Sequence, residues 1–296
     1  MAVEKLTGII PAPVTPFTQK GDIDEGALGA YVNWLVENGV HGLFCYGSFG
    51  GWPLMRIDER KRAAEITIKA AAGRIPVVIH VGAMETKTAA ELAKHAADAG
   101  AWGVASLPPV YYPVKEPHIR RYFAALKEAS KLPVYAYNFP AKAGYSLEPD
   151  ILTALVDDGL SGVKDSSLNI IYTQHALNAL EGRKFNWVNG TVPVLMAAVM
   201  LGAEGSVAGT ANAFPEFTVS LWDAIQAKNF DEARKIQRKL TTLVSVMNKP
   251  INVVGVHTML KLRGLDFAGY PREPLMPATD EQIATMKREL QELELL

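Results

Sequence analysis

The stretch PVYAYNFPAKAGYSLEPDILTALVDDGLSGVK, residues 133–164, contains one full unit of the pattern that decides the fold. It begins with an apolar run typical of a buried strand, Pro133–Tyr137. A helical pattern follows over Glu148–Asp157, and a second short apolar run, Ser161–Lys164, begins the next unit. Two buried strands joined by a helix predict a βαβ unit, in which the strands lie parallel.

The same alternation extends along the chain in both directions. Further strand-like runs lie at Gly8–Val14, Gly42–Tyr46, Ile75–Val81, Gly103–Leu107, Phe185–Val188 and Gly205–Ala208. Helical patterns separate them, and the last of these is Pro215–Ala227. Eight strand–helix units over about 220 residues predict a (β/α)8 TIM barrel, with an open doubly wound sheet as the alternative. We therefore expect residues 1–227 to form the barrel and residues 228–296 to form a C-terminal helical extension packed on it.

The charge and the cysteine content restrict the partners and the compartment. Lys and Arg total 30, Asp and Glu total 31, and the net charge is −1. Because no basic excess exists to bind phosphates or an anionic surface, we expect no nucleic-acid partner and no membrane association. No run of about 18 apolar residues predicts a membrane span. Cys45 is the single cysteine and cannot form an internal disulfide, so we expect a reducing, cytoplasmic location.

Polar or small residues at the carboxyl ends of the predicted strands are the candidates for an active site, because TIM-barrel sites form at that face. These residues are Thr15, Ser48, His80, Tyr111, Tyr137, Lys164, Ser166, Gly190 and Thr210. They include no carboxylate pair, and the six histidines have no metal-ligand spacing. The glycine-rich turn Gly47–Gly51 lacks the nucleotide-binding patterns. The sequence therefore predicts a site without a metal or a cofactor.

Lys164 carries the most specific chemistry among these candidates. It lies at the mouth end of a predicted buried strand, where loss of water favours the uncharged amine and lowers its pKa. An uncharged lysine is a nucleophile that forms imines with ketones. The alternative is a structural lysine that forms an ion pair with a carboxylate such as the adjacent Asp165.

Three other features support the lysine in this interpretation. Tyr137 stands where a phenol can move a proton to and from the reacting atoms, although it is also suited to a structural role as an aromatic plug. The Ser48 hydroxyl can extend that proton relay. The backbone N–H groups of Gly47–Gly50 can bind a carboxylate, or they can simply belong to a strand-to-helix turn.

Four motifs give the sequence a resemblance to a known family over essentially its whole length. They are Pro13-Val14-Thr15-Pro16-Phe17, Pro109-Val110-Tyr111-Tyr112-Pro113, Tyr137-Asn138-Phe139-Pro140 and Gly162-Val163-Lys164-Asp165-Ser166-Ser167. Through them the chain resembles the class I aldolases of the dihydrodipicolinate synthase and N-acetylneuraminate lyase family. The resemblance implies pyruvate held through a lysine imine, without a cofactor.

The resemblance also implies roles for individual residues. Lys164 matches the Schiff-base lysine, Tyr137 the proton-shuttling tyrosine, and Ser48 the hydroxyl of the relay. Tyr111 matches a tyrosine that a neighbouring subunit inserts into the site, and the family implies a homotetramer, a dimer of dimers. Val207 matches a residue that lines the pyruvate pocket.

Departures from the family pattern bear on the second substrate. Phe49 and Gly51 stand where the family usually carries a threonine and a glutamate, although the Phe49 N–H can still bind a carboxylate. Lys142 stands near an arginine of dihydrodipicolinate synthases, and a lysine lacks the two-pronged guanidinium. Gly190 precedes Thr191-Val192-Pro193, where sialic acid lyases carry an Asp-Glu pair. These departures disfavour aspartate semialdehyde and sialic acid as substrates.

Residues around the predicted mouth give two indications about the substrate. Ser166 provides a hydroxyl where sugar-acid members of the family tend to carry one, and Thr15 is a second candidate for substrate contact. Phe49, Trp52 and Val192 indicate a tighter or more apolar mouth, which suits a small or aromatic aldehyde.

We therefore expect a lyase that makes or breaks a carbon–carbon bond between pyruvate and an aldehyde. The expected substrate is a 2-oxo-3-deoxy sugar acid or a similar small 2-oxo acid. Three alternatives stay open: a dehydratase that uses the same lysine imine, dihydrodipicolinate synthase itself, and a non-catalytic 2-oxo-acid binder. The changes at Phe49 and Gly51 motivate the last of these, because a fold does not fix a function.

Overall fold

The computed structural model describes residues 5–296, in which eight strands alternate with helices. The predicted start of the barrel at residue 1 lies outside the described residues. The strands are β1 (Gly8–Pro11), β2 (Leu43–Cys45), β3 (Val77–His80), β4 (Gly103–Ser106), β5 (Val134–Asn138), β6 (Gly162–Asp165), β7 (Asn186–Asn189) and β8 (Gly205–Ala208). The first nine helices are α1 (Glu25–Glu37), α2 (Ile57–Ala71), α3 (Thr86–Asp98), α4 (Glu116–Ser130), α5 (Pro140–Ala143), α6 (Pro149–Asp157), α7 (Ile170–Ala179), α8 (Leu195–Leu201) and α9 (Pro215–Gln226).

The strands form a nearly closed parallel barrel, which confirms the predicted TIM barrel and excludes an open doubly wound sheet. Their spatial order is β1-β8-β7-β6-β5-β4-β3-β2. Between β1 and the residues before β2, the His41 N–H donates to the Ile9 carbonyl at 2.8 Å. The Ile9 N–H in turn donates to His41 Nδ1 at 3.1 Å. The His41 side chain and backbone thus complete the ring where regular strand pairing is interrupted.

Alternation along the strands sorts the apolar side chains into two layers. The barrel interior holds Ile10, Phe44, Val78, Ala105, Tyr135, Tyr137, Val188 and Val207. The layer between the strands and the helices holds Ile9, Leu43, Cys45, Ile79, Val104, Val163 and Trp187. Because Val163 belongs to the outer layer, its neighbour Lys164 points into the barrel.

Three further helices follow the barrel: α10 (Phe230–Met247), α11 (Asn252–Leu262) and α12 (Asp280–Glu292). The amide of Gln237 on α10 donates to the Val192 carbonyl at 2.9 Å, and its oxygen accepts from the Met196 N–H at 3.0 Å. Leu240 and Leu243 are fully buried in the same apolar layer as the barrel helices. Helix α10 therefore packs on the barrel through a shared core, while the division of the chain between residues 227 and 228 stays a prediction.

None of the helices within residues 5–296 has the length and apolar character needed to cross a membrane.

Candidate active site

A cavity of about 520 Å³ opens at the carboxyl ends of the strands. It brings together eight of the residues that the sequence predicts for the site: Ser48, Phe49, Tyr137, Lys142, Lys164, Ser166, Gly190 and Val207. Residues from the loop after β2, from β5, β6 and β8, and from the loop after β7 thus meet in one pocket.

Lys164 lies deep in this cavity, beside Tyr137 of the neighbouring strand. The two residues are register partners in the parallel β5–β6 pair. The Lys164 Nζ lies 3.8 Å from the centroid of the Tyr137 ring and 4.2 Å from that of Phe44. Lys164 is only 4% exposed, and burial lowers its pKa to about 7. A substantial fraction of the amine is therefore uncharged at neutral pH and able to attack a carbonyl carbon.

The carboxylate of Asp165 does not pair with this amine, because successive side chains of β6 point to opposite faces. Asp165 accepts hydrogen bonds from Asn138 Nδ2 at 2.8 Å and from Ser167 Oγ at 2.9 Å. The Thr173 hydroxyl donates to it at 3.2 Å. Burial raises the pKa of Asp165 despite these bonds. The alternative of a structural Lys164–Asp165 ion pair is therefore wrong.

Tyr137 contacts Lys164 through its ring and hydrogen-bonds with the side chains of Ser48 and Ser166 through its hydroxyl group. Burial raises the pKa of Tyr137 to about 12, while hydrogen bonding with Ser48 and then with Ser166 opposes that rise. The Ser166 hydroxyl also donates to the Gly190 carbonyl at 3.2 Å. A Cβ on Gly190 would lie 2.1 Å from Ser166 Oγ. Glycine at position 190 therefore leaves room for the hydroxyl that faces the phenol.

The turn after β2 contains two adjacent backbone donors, on residues that line the cavity. The peptide N–H groups of Ser48 and Phe49 donate to no protein acceptor among the described residues. Gly50 is required for the tightness of this turn, because a Cβ there would lie 2.6 Å from the Tyr46 Cα. The Thr15 hydroxyl donates to the Gly50 carbonyl at 2.8 Å. Adjacent free N–H groups of this kind suit an anionic oxygen.

Four of the predicted site residues lie away from the cavity wall: Thr15, His80, Tyr111 and Thr210. His80 accepts a hydrogen bond from the Leu107 N–H at 3.2 Å, and the Thr210 hydroxyl lies 3.1 Å from that of Thr218. Thr15 is buried, and its hydroxyl stabilises the turn after β2 by donating a hydrogen bond to the Gly50 carbonyl. Tyr111 is 78% exposed, with a left-handed φ of 77° and its ring edge-on to Tyr112 at a centroid distance of 5.0 Å. Its insertion into the site of a neighbouring subunit stays a prediction.

The C-terminal helices contribute to the cavity in a way that the sequence does not predict. Residues of α10 and α11 and of the segments beside them line its outer part: Val244, Met247, Asn248, Ile251, Asn252, Val253 and Leu275. The apolar period of these helices predicts that they pack on the barrel, but it does not identify which end crosses the mouth. Within residues 5–296, no three His, Cys, Asp or Glu side chains are grouped as metal ligands.

The chain is similar to known proteins over nearly its whole length. Residues 5–293 match the sequence model of the Dihydrodipicolinate synthetase family. The chain is 30% identical to N-acetylneuraminate lyase of Rhizobium meliloti, with 96% of this chain and 94% of that protein covered. It is 34% identical to 4-hydroxy-tetrahydrodipicolinate synthase of Brucella abortus, with 80% and 82% covered. The structure of YagE, a prophage protein from E. coli K12 in complex with pyruvate, superposes with a TM-score of 0.94 at 29% identity, with 98% and 99% covered.

Proposed function

Because this chain belongs to the dihydrodipicolinate synthetase family of pyruvate-dependent lyases and aldolases, we propose that Lys164 forms a Schiff base with the ketone of pyruvate. The observation that carries the proposal is a buried amine with a pKa of about 7, set beside the Tyr137 ring at the bottom of the cavity. The lysine is thus both accessible from the mouth and uncharged often enough to attack.

The reaction uses the imine as an electron sink. The Lys164 amine adds to C2 of the 2-oxo acid, and the carbinolamine loses water to give an iminium. In the cleavage direction, the C4 hydroxyl loses its proton while the C3–C4 bond electrons move toward the iminium nitrogen. An aldehyde leaves, the resulting enamine takes a proton at C3, and water releases pyruvate and the free lysine.

Tyr137 is the proton carrier in this proposal. A phenol with a pKa of about 12 holds its proton at neutral pH and can deliver it to the carbinolamine oxygen as water leaves. Hydrogen bonding with Ser48 and Ser166 stabilises the phenolate that forms for a moment after the transfer. The free N–H groups of Ser48 and Phe49 support a carboxylate site beside the reacting ketone.

We also propose a homotetramer in which Tyr111 reaches a neighbouring subunit. Tyr111 and Tyr112 expose 78% and 70% of their surfaces, which supports a contact surface at this loop. The molar mass in solution, measured by light scattering, tests the assembly, and a monomer would contradict it.

The Schiff base is tested by incubating the protein with pyruvate and borohydride and measuring the intact mass. Reduction converts an imine into a stable amine, so the wild type is expected to gain one pyruvate-derived group. Lys164→Met is expected to gain nothing. Lys142→Met, which changes the other lysine of the same cavity, is expected to gain the group as the wild type does. An unmodified wild type, or a Lys164→Met variant that still gains the group, would overturn the proposal.

A further inference from the structure

The wall of the cavity beyond Lys164 is poor in polar groups. Among the described residues, Lys164 and Lys142 are the only charged side chains that line it. Lys142 belongs to the short helix α5 and is exposed. Aromatic and aliphatic side chains form most of the remaining surface, including Phe49, Trp52, Phe139, Val192, Val244 and Met247. A pocket of this kind favours an apolar ligand, because polar groups that enter it lose their hydrogen bonds to water.

Several side chains of this wall are aromatic. The Phe139 ring lies 5.6 Å from the Tyr137 ring with an angle of 30° between their planes. The Trp52 ring lies 5.5 Å from the His80 ring, and the Arg60 guanidinium carbon lies over the Trp52 ring, 5.6 Å from its centroid. The rings of Tyr137, Phe139 and Trp52 therefore give the cavity wall a substantial aromatic surface.

Phe49 is held in the wall by its neighbours. Its Cζ lies 2.9 Å from the position that a Cβ on Gly209 would occupy, so the ring packs directly on the backbone after β8. The Met247 methyl group lies 3.5 Å from the same position, which brings the end of α10 against this contact. Because both the backbone after β8 and the end of α10 pack against it, the Phe49 ring is a fixed part of the pocket.

The polar side chains of the wall offer little to a polyhydroxylated chain. Ser48 and Ser166 are engaged with Tyr137, and the Ser166 hydroxyl also donates to the Gly190 carbonyl. Thr191, which is buried, adds one further hydroxyl to the wall. Asn248 and Asn252 are exposed at the outer rim. A glycerol-like tail in the inner part of the cavity could pair one hydroxyl with Thr191 but would leave the others without side-chain partners, which is unfavourable for each of those groups.

We propose that the aldehyde half of the substrate is an aryl aldehyde and that the 2-oxo acid cleaved or made by this enzyme carries an aryl group on C4. This inference rests on the proposed function, since it assigns the second substrate of the same imine chemistry. A 4-aryl-4-hydroxy-2-oxobutanoate gives pyruvate and an aryl aldehyde when its C3–C4 bond breaks. The C4 hydroxyl loses one proton and C3 of the enamine gains one, so no net proton is consumed. The water molecule lost when the imine forms is taken up again when the imine is hydrolysed.

The first test compares two substrates on the wild type. Pyruvate release is measured from 4-hydroxy-2-oxo-4-phenylbutanoate and from a 2-oxo-3-deoxyhexonate, each under kcat/KM conditions. The aryl substrate is expected to be preferred by about tenfold or more, the size of a discrimination based on burial of apolar surface. A sugar acid that reacts as well as the aryl acid, or better, would overturn the inference.

The second test changes the wall and uses the ratio of the two kcat/KM values, since a loss common to both substrates cancels in it. Phe49→Thr is expected to lower the ratio by about tenfold, because it removes aromatic surface and adds a hydroxyl. Phe217→Thr is the matched control. It changes a half-buried phenylalanine of α9 outside the cavity and is expected to keep the wild-type ratio. A Phe49→Thr ratio equal to that of the wild type would contradict the assignment of the wall.

Borohydride trapping separates failure of this inference from failure of the proposed function. A wild type that traps pyruvate but does not cleave the aryl substrate retains the imine chemistry and overturns the aryl acceptor. A wild type that traps no pyruvate overturns the proposed function, and the aryl acceptor falls with it.

Discussion

The chemistry of Lys164 depends on where its side chain is buried. The amine lies among the Tyr137 and Phe44 rings, and burial alone accounts for the lowering of its pKa from 10.5 to about 7. Asp165, the nearest carboxylate in the sequence, is held on the other face of the strand by Asn138 and Ser167. The environment therefore favours the nucleophilic form of the lysine instead of stabilising its charge.

The pH dependence of imine formation follows from this pKa. The rate of trapping by cyanoborohydride at fixed pyruvate is expected to rise up to about pH 7 and then to level off, because the uncharged amine is the attacking form. An ordinary lysine would continue to gain rate up to about pH 10. A profile that rises steadily to that pH would show that Lys164 is not desolvated as described.

The same burial carries a cost in stability. Below pH 7 the folded protein must hold a buried ammonium that the unfolded chain leaves in water, and this cost declines as the pH rises toward about 10.4. Lys164→Met is therefore expected to increase the free energy of unfolding by roughly 2–4 kcal/mol at pH 6, and by less at pH 9. Urea unfolding at both pH values measures it. Lys184→Met, at an exposed position, is the control and is expected to change little.

Removal of the hydroxyl group of Tyr137 separates the chemical role of this residue from its packing role. Tyr137→Phe keeps the ring that lies against Lys164 and deletes the hydroxyl associated with Ser48 and Ser166. The rate of imine trapping is expected to fall by about 10²–10⁴-fold, with little change in the melting temperature. An unchanged trapping rate would show that Tyr137 only packs inside the barrel and transfers no proton.

At the scale of elements, pairing between strands and one tight turn set the geometry of the site. The β5–β6 register places Tyr137 beside Lys164, and the turn after β2 directs Ser48 toward the same point. Gly50 and Gly51 serve the turn in different ways. Gly50 allows a close approach to the Tyr46 backbone, whereas Gly51 supplies a left-handed φ of 71°.

Gly50→Ala tests how strictly the turn is fixed. Its Cβ would lie 2.6 Å from the Tyr46 Cα, a backbone contact that cannot move away cheaply. We expect the unfolding free energy to fall by about 1–3 kcal/mol and pyruvate trapping to weaken, because Ser48 and the Phe49 N–H shift. Gly29→Ala is the control within helix α1. A Cβ there meets nothing within 4 Å, so stability is expected to rise by about 0.5–1 kcal/mol.

The sequence predicts the barrel and the inner site for a physical reason. Alternating apolar runs identify all eight strands, and the end of each strand determines which residues, such as Lys164 and Tyr137, reach the mouth. Thr15 also follows a predicted strand, but its hydroxyl donates a hydrogen bond to the Gly50 carbonyl instead of lining the cavity. That contact depends on how two loops pack together, which the sequence does not show. The one-turn helix α5, which carries Lys142, is too short to show a helical period.

At the scale of the whole molecule, the C-terminal helical extension (the tail, residues 228–296) lines the outer part of the cavity. Arg272 attaches this region to the mouth. Its Nη1 donates to the Leu54 carbonyl at 2.8 Å and to Glu59 at 2.7 Å, and its Nε donates to the Gly21 carbonyl at 2.8 Å. Leu275, three residues later, lines the cavity. The sequence could not predict this arrangement, because it arises from contacts between segments more than 200 positions apart.

Arg272→Met tests the attachment of the tail. Loss of the guanidinium leaves the buried Glu59 with one arginine partner fewer, and the unfolding free energy is expected to fall by about 2–4 kcal/mol at pH 7. Hydrogen bonding from Arg272 lowers the pKa of Glu59, so this difference should shrink as the pH falls below about 4. Arg183→Met breaks an exposed pair with Asp157 and is expected to cost less than about 1 kcal/mol. Equal losses in both variants would contradict this account.

The most direct test of the central claim locates the trapped pyruvate in the sequence. After reduction with borohydride, digestion with trypsin is expected to leave residues 143–183 as one peptide that carries the pyruvate-derived mass, because a modified Lys164 is not cleaved. Untreated protein should give residues 143–164 and 165–183 separately. A pyruvate-derived mass on any other lysine, with cleavage after Lys164 intact, would contradict the account.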